Sequence, residues 1–452
     1  MTEVAGLEPL TRETAPLAEF EGGDPDFVRQ LRQAAQAAYR EAPWPSSARD
    51  EDWRRTPQVD KLDPGRYSLG GDPGSTMSEH LRKVLEEPAS SLFKGRTLAT
   101  DQNGNLEMEH TSDDGGAGGS ALPLQAGLAR DPGIWEPVLG RIANPGLRKF
   151  VSLNTALMRG GAAIRVGRGL QAEPVRLVNF VDQGAASFPR AAILLEEGSS
   201  LTLVEQWSSP DEDETLMAPV VEVLLGAGSH LTHVVEQRCG SKTVVQSTVR
   251  VRLSRDSRYD LHWVMLGGRW QKSYFDVEML GEGSESKATG LCVGRRDQHF
   301  DVQTLQDHVA RGAISDLLYR VAVAERSRSV FAGLIRVEEQ AQKTNAYVQN
   351  RNLLLSPQAK ADSNPTLEIL ANDVRCTHGS TAGRIDDNQL FYCESRGIPR
   401  EQARRLVVEG FFADVVDSFP EGPIRDSADA AVQTALEELA QSGALAAGPG
   451  PS

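Results

Sequence analysis

From Phe150 to about residue 380 the chain alternates short apolar, β-branched segments with turns of small residues, and the helical 3.6-residue period almost vanishes. Ala191–Val204 (AAILLEEGSSLTLV), Val220–Val235 (VVEVLLGAGSHLTHVV), Thr248–Val264 and Phe275–Val293 all read this way. Each runs through apolar alternation, a turn of Gly or Asp followed by Ser, then alternation again. The turn serines, Ser199, Ser229, Ser257 and Ser284, are separated by 30, 28 and 27 residues, and a comparable turn recurs at Gln340–Ala341. Such spacing suggests a solenoid of stacked β-coils, in which each coil's apolar face stays open until a neighbour covers it. An antiparallel sandwich with hairpin turns fits the alternation equally well, so periodicity alone leaves both open.

The flanks follow a different period. Residues 24–41 (DPDFVRQLRQAAQAAYRE) predict an amphipathic helix with Asp24 as cap, Pro25 at the first position and Phe27, Leu31, Ala34, Ala35 and Ala38 on one face. From 63 to 145 the chain is broken by Gly and Pro, including Asp114–Ser120, and predicts small elements joined by loops. Pro399 opens a second helix with Leu406, Val407, Phe411, Val415 and Phe419 as its apolar side, ended by Pro420 and Gly422–Pro423. Residues 429–442 predict a third, with Val432, Ala435, Leu436 and Leu439 inward. The tail GALAAGPGPS is expected to be disordered.

A formal net charge of -15 opposes binding to nucleic acid, which is held by clustered Lys and Arg. No apolar run approaches the roughly 18 residues of a membrane helix. Met1–Asp24 is acidic and lacks a basic region followed by an apolar core, so the expected compartment is the cytoplasm. Cys239, Cys292, Cys376 and Cys393 are too few and scattered for a disulfide framework, and no pair has C-x-x-C spacing. Gly281–Thr289 lacks the Gly and Ser/Thr of a phosphate-binding loop, and no G-x-S-x-G or H-E-x-x-H motif exists. His230 and His233, three apart in an extended segment, would point to opposite faces and make a poor metal pair. No catalytic residue stands out, which argues against an enzyme.

Cys376 and His378 are two apart, so in a strand they project from one face. Thiolate with imidazole suits iron, but four ligands usually hold a cluster, so the rest must come from outside. Packing against the next coil is the competing explanation for both residues. Cys239, Cys292 and Cys393 are expected to behave as small buried hydrophobes.

The segments AQKTNAYVQNRNLLLSPQAKADSNPTLEI (341–369) and NDVRCTHGSTAGRIDDNQLFYCESRGI (372–398) resemble the SufB/SufD family, its SufD branch in particular. Weaker echoes are RDEDWRRT (49–56), FVSLNTA (150–156) and RSVFAGLI (328–335). The Cys376-Thr377-His378-Gly379 sequence favours SufD over SufB, where an acidic residue usually accompanies the His. Ser363, Asn364 and Cys393 depart from the common pattern. The resemblance implies a mainly β protein with a right-handed parallel β-helix core flanked by helical N- and C-terminal domains. The corresponding divisions are 1–145, 146–390 and 391–442, with a disordered tail at 443–452. It also implies a SufB-like paralogue and a SufC-like ABC-type ATPase as partners, with the ATPase docking on the C-terminal helices through Phe411, Phe412 and Val415. The isolated chain could pair with itself through an uncapped edge. A transient nascent cluster or iron would meet His378 and Cys376, no cofactor would bind the isolated chain stably, and a reduced flavin could take part in the complex. Two other functions compete: a SufB-like primary cluster scaffold, and a β-helix enzyme acting on polysaccharides.

Overall fold

The computed structural model describes residues 9–20, 23–70, 79–86, 96–101, 106–109, 119–182, 184–211 and 213–445. Their centre is a β-solenoid of about eight turns. Successive strands alternate between a ten-stranded and an eleven-stranded sheet, and within each sheet the strands pair in parallel from Gly161–Val166 to Arg375–Arg384. That parallel register excludes the sandwich, whose hairpins would make antiparallel pairs. Among the described residues, antiparallel pairing occurs only near the N-terminal end, between Arg96–Thr100 and Leu106–Glu109 and between Gly119–Pro123 and Gly161–Val166.

The serine column has a physical cause. Ser199, Ser229 and Ser257 each donate a hydroxyl proton to the carbonyl three residues earlier, at 2.7, 2.8 and 2.8 Å. The residue before each serine turns the chain with a positive φ: Gly198, Gly228, Asp256 and Gly283. Glycine takes that conformation without a Cβ clash, and Asp is among the side chains that tolerate it. The column continues through Ala313 and Thr344 rather than ending at Gln340–Ala341. Thr344 Oγ1 donates to Ala341 O at 2.8 Å, and Lys343 before it has φ of 65°.

The lumen is filled by inward side chains of both sheets, from Leu98 and Ile164 to Val348 and Ala371. A second apolar seam joins the outer face of the ten-stranded sheet (Val204, Val234, Val264, Leu291, Ala322) to the C-terminal helices Arg400–Val416 and Pro423–Gln441. Gly422–Pro423, expected to end a helix, instead opens the last one, with Pro423 in its first turn, where a missing N–H costs nothing. Ala444 and Leu445, assigned to the tail, are buried in this seam; residues 446–452 lie outside the described residues. Most of the Asp114–Ser120 stretch lies outside them too. The solenoid's final strand ends at Arg384 and a short helix follows at Asp387–Ser395, so the change from β to α falls before residue 390.

The N-terminal helix, Asp26–Glu41, buries a different stripe from the one expected: Val28, Arg32, Ala35 and Tyr39, with Ala34 exposed. Asp24 does not cap it. Its carboxylate pairs with Arg32 at 2.7 Å, and Arg32 also donates to the carbonyls of Ala156 and Met158. This carboxylate and these carbonyls let a charged residue occupy a core position. The RDEDWRRT segment is equally anchored. Lys272 Nζ, fully buried, donates to Asp52 O and Asp301 at 2.7 Å each, and Trp53 packs on Phe150.

Glu222 ties the N-terminal segment to the coils. Both it and Arg190 are fully buried and paired at 2.5 Å. Glu222 also accepts the backbone N–H groups of Gly140, Ile142 and Ala143 at 2.8, 3.1 and 2.7 Å. Removing one partner of a buried pair strands the other charge. Glu222→Ala should therefore lower unfolding stability by about 3–5 kcal/mol, seen as a lower urea midpoint; an unchanged midpoint would contradict this role.

Candidate functional site at the open end of the solenoid

The last strands of the two sheets, Lys360–Ile369 and Arg375–Arg384, are each paired on one side only. Pro365 lies in the first of them, at an edge, where its missing N–H interrupts no ladder. No described residue covers the final coil, so its core edge is left open: Leu354, Leu367, Val374 and Cys376 are only partly buried against the lumen. Ile369, Leu370 and Tyr347 are exposed beside them.

Register fixes the direction of the predicted pair. Cys376 stands over Ala346 and His378 over Val348, two residues of the lumen core. Both therefore lie on the inward side of the terminal strand. Cys376 is half-buried, and burial lifts its thiol above the ordinary value despite a backbone hydrogen bond at Ala346. His378 is exposed. Among the described residues no group of three or more His, Cys, Asp and Glu could hold a metal ion. A thiol and an imidazole on one face offer two ligands, half the usual set.

Three further polar groups at this end were missed from sequence. Asn350 and Asn352 lie below Ser380 and Ala382 on the inward side; Asn352 Nδ2 donates to Asn350 Oδ1 at 2.6 Å and to Thr381 O at 3.1 Å. Asn350 Nδ2, Asn352 Oδ1 and Ser363 Oγ are buried without partners, as polar groups at an unfinished interface would be. The i, i+2 spacing that singled out Cys376 and His378 also relates the two asparagines and could have found them.

His230, His233, His299 and His308 all have structural partners. His230 and His233 do point to opposite faces, the first to Asp260 at 2.9 Å and the second, buried, to Tyr259 at 2.8 Å and Glu205 at 3.2 Å. His299 and His308 are buried on Thr56 and Ser315, and burial pulls both down to about 4. Cys239 and Cys292 are core residues, the former pushed up to about 12 by burial; Cys393 is half-buried.

The C-terminal helix corrects the expected docking residues. Phe412 and Val415 are buried in the seam against the solenoid, so neither is open to a partner. Phe411 is half-buried, edge-on to Phe412 and beneath the Arg320 guanidinium. The buried stripe is Val408, Phe412, Val415 and Phe419; Val415 and Phe419 are as predicted, but Val408 and Phe412 replace Leu406, Val407 and Phe411, because the helix lies on the ten-stranded sheet and Asp414 pairs with Arg320. The exposed apolar side chains here are Phe391 (70%), Tyr392 (63%) and Leu406 (45%).

A family model described as "SUF system FeS cluster assembly, SufBD core domain" matches residues 178–411. The chain is 32% identical over 332 residues to an iron–sulfur cluster assembly SufBD family protein of Mycobacterium tuberculosis, covering 69% of this chain and 81% of that one. It is 29% identical over 282 residues to the iron–sulfur cluster assembly protein SufD of Escherichia coli (60% and 65%). Identity to the chloroplastic protein ABCI7 of Arabidopsis thaliana is 35% over 246 residues (54% and 51%). The match thus spans about half of the Arabidopsis protein and just under two thirds of the E. coli one.

Two outcomes follow from these placements. Alkylation of the folded chain by iodoacetamide should modify Cys376 while sparing Cys239 and Cys292, and its rate at Cys376 should climb about tenfold per unit from pH 7 to 9 as thiolate forms. Peptide mass spectrometry reads this, and a pH-independent rate would refute the raised thiol. Phe412→Asp should cost at least about 3 kcal/mol in chemical denaturation, whereas Phe391→Asp should leave the midpoint in place.

Proposed function

Because this chain belongs to the SufBD core family of the SUF system for iron–sulfur cluster assembly, we propose that it is a SufD-type scaffold subunit without catalytic residues of its own. The observation that carries this is the open coil end, with Cys376 and His378 on its inward side. An unpaired strand edge beside an open apolar core is a template for another β-chain. A SufB-like paralogue ending in a similar coil would pair there and bring the missing ligands. The nascent cluster or iron is then cargo, held transiently between two proteins. His378 and the Cys376 thiolate would supply two ligands, and soft sulfur with imidazole suits iron. Without the paralogue, a second copy of this chain would meet the same edge.

A SufC-like ATPase would dock on the C-terminal helices, and Phe391, Tyr392 and Leu406 now take the role first given to Phe411, Phe412 and Val415. Their support is exposure: large apolar side chains grouped on a surface mark interaction sites. No residue is assigned to a reduced flavin. Among the described residues no helix is long and apolar enough to cross a membrane, consistent with work in the cytoplasm.

Co-expression with the host's SufB-like and SufC-like proteins tests the assignment. His378→Ala should leave the purified complex intact and lower its iron and sulfide content after anaerobic reconstitution. Wild-type cluster yield in that variant would remove His378 from the site; failure of the wild-type chain to form any complex would remove the scaffold role.

A further inference from the structure

A second site lies beside the open end, where the last coil meets the C-terminal helices. Arg404, on the Arg400–Val416 helix, is 5% exposed. Guanidinium carries five N–H donors and stays charged when buried. Among the described residues the only acceptor it meets is Leu355 O, at 2.8 Å from Nη2; Nε is sealed in without a partner. Three other buried arginines each meet a carboxylate: Arg32 meets Asp24, Arg190 meets Glu222 and Arg320 meets Asp414. Arg404 has no such carboxylate. Its nearest acid, Asp387, is engaged by Arg400 at 3.3 Å, and Arg400 itself adds positive potential at Arg404.

Arg404 lines a cavity of about 100 Å³ together with Leu354, Ser356, Arg384, Asp387 and Leu390. Arg384, the last residue of the terminal strand, has no ion-pair partner among the described residues. Two arginines therefore line one small hollow whose single carboxylate, Asp387, is already paired with Arg400. A buried cation with unused donors is costly unless an anion meets it, and planar guanidinium forks match oxyanions in particular.

We propose that this cavity binds a small tetrahedral oxyanion of the phosphate class, held by Arg404 from within and Arg384 from the rim. The ligand would tie the last coil, through Arg384 and Leu355, to the helix that carries Arg404. Arg384 stands over Leu354 on the inward side that also bears Cys376 and His378, but at the other end of the strand from Cys376.

Inorganic phosphate is the probe, titrated into the full chain at constant ionic strength set with chloride. Calorimetry should show saturable binding at one site, and the melting temperature should rise with phosphate and level off. Arg384→Gln should weaken binding about tenfold, the loss of one charge-assisted contact, without changing the melting temperature in chloride alone. Arg404→Gln should abolish binding; should that variant fail to fold, Arg384→Gln decides the matter by itself. Absence of saturable binding to the wild-type chain, or unchanged affinity in Arg384→Gln, overturns the proposal.

Discussion

Every strand inside the solenoid spends its backbone hydrogen bonds on a coil at either side, and the last two strands have a coil at one side only. That unmet pairing governs the rest of the molecule. At the other end the parallel register is broken by the antiparallel strands Leu106–Glu109 and Gly119–Pro123, and helices pack around the first coils. The stack is thus polar: dressed where it begins and open where it stops. Cys376 and His378 gain accessibility from this position alone. The same residue types three coils earlier would be sealed into the core, as Cys292 is.

Much of the architecture was legible because its cause is local. A positive-φ residue followed by a serine that bonds back to the turn carbonyl is a short-range device, and its recurrence gave the coil spacing. The choice between solenoid and sandwich was not local, since it depends on which distant strands pair, and only resemblance resolved it in advance. The Cys-x-His pair was readable from strand alternation. The half-satisfied asparagines obeyed the same alternation but carry no chemistry that draws the eye.

Where sequence reading went astray, burial was decided by partners far along the chain. Arg32 occupies a core position because Asp24, Ala156 and Met158 accept its protons, so the stripe on the first helix shifted away from the purely apolar one. Arg190 and Glu222 look like ordinary surface charges until three backbone N–H groups converge on the carboxylate. Phe412 and Val415 are turned inward by the sheet beneath them. Across the seam an ion pair, Arg320 with Asp414, and a hydrogen bond donated by Arg238 to Ser427 hold the C-terminal helices in one orientation on the coils.

The open terminus also bears on how such a chain must be produced. An unpaired β-end is adhesive from the moment it leaves the ribosome, and Pro365 with the nearby charges of Lys360, Glu368 and Arg375 blunts it only in part. Supply in excess of whatever seals that surface would drift toward self-pairing or precipitation. Under the proposed pairing, matched dosage of the two chains follows as a physical requirement of the shape of one strand, before any regulation acts on it.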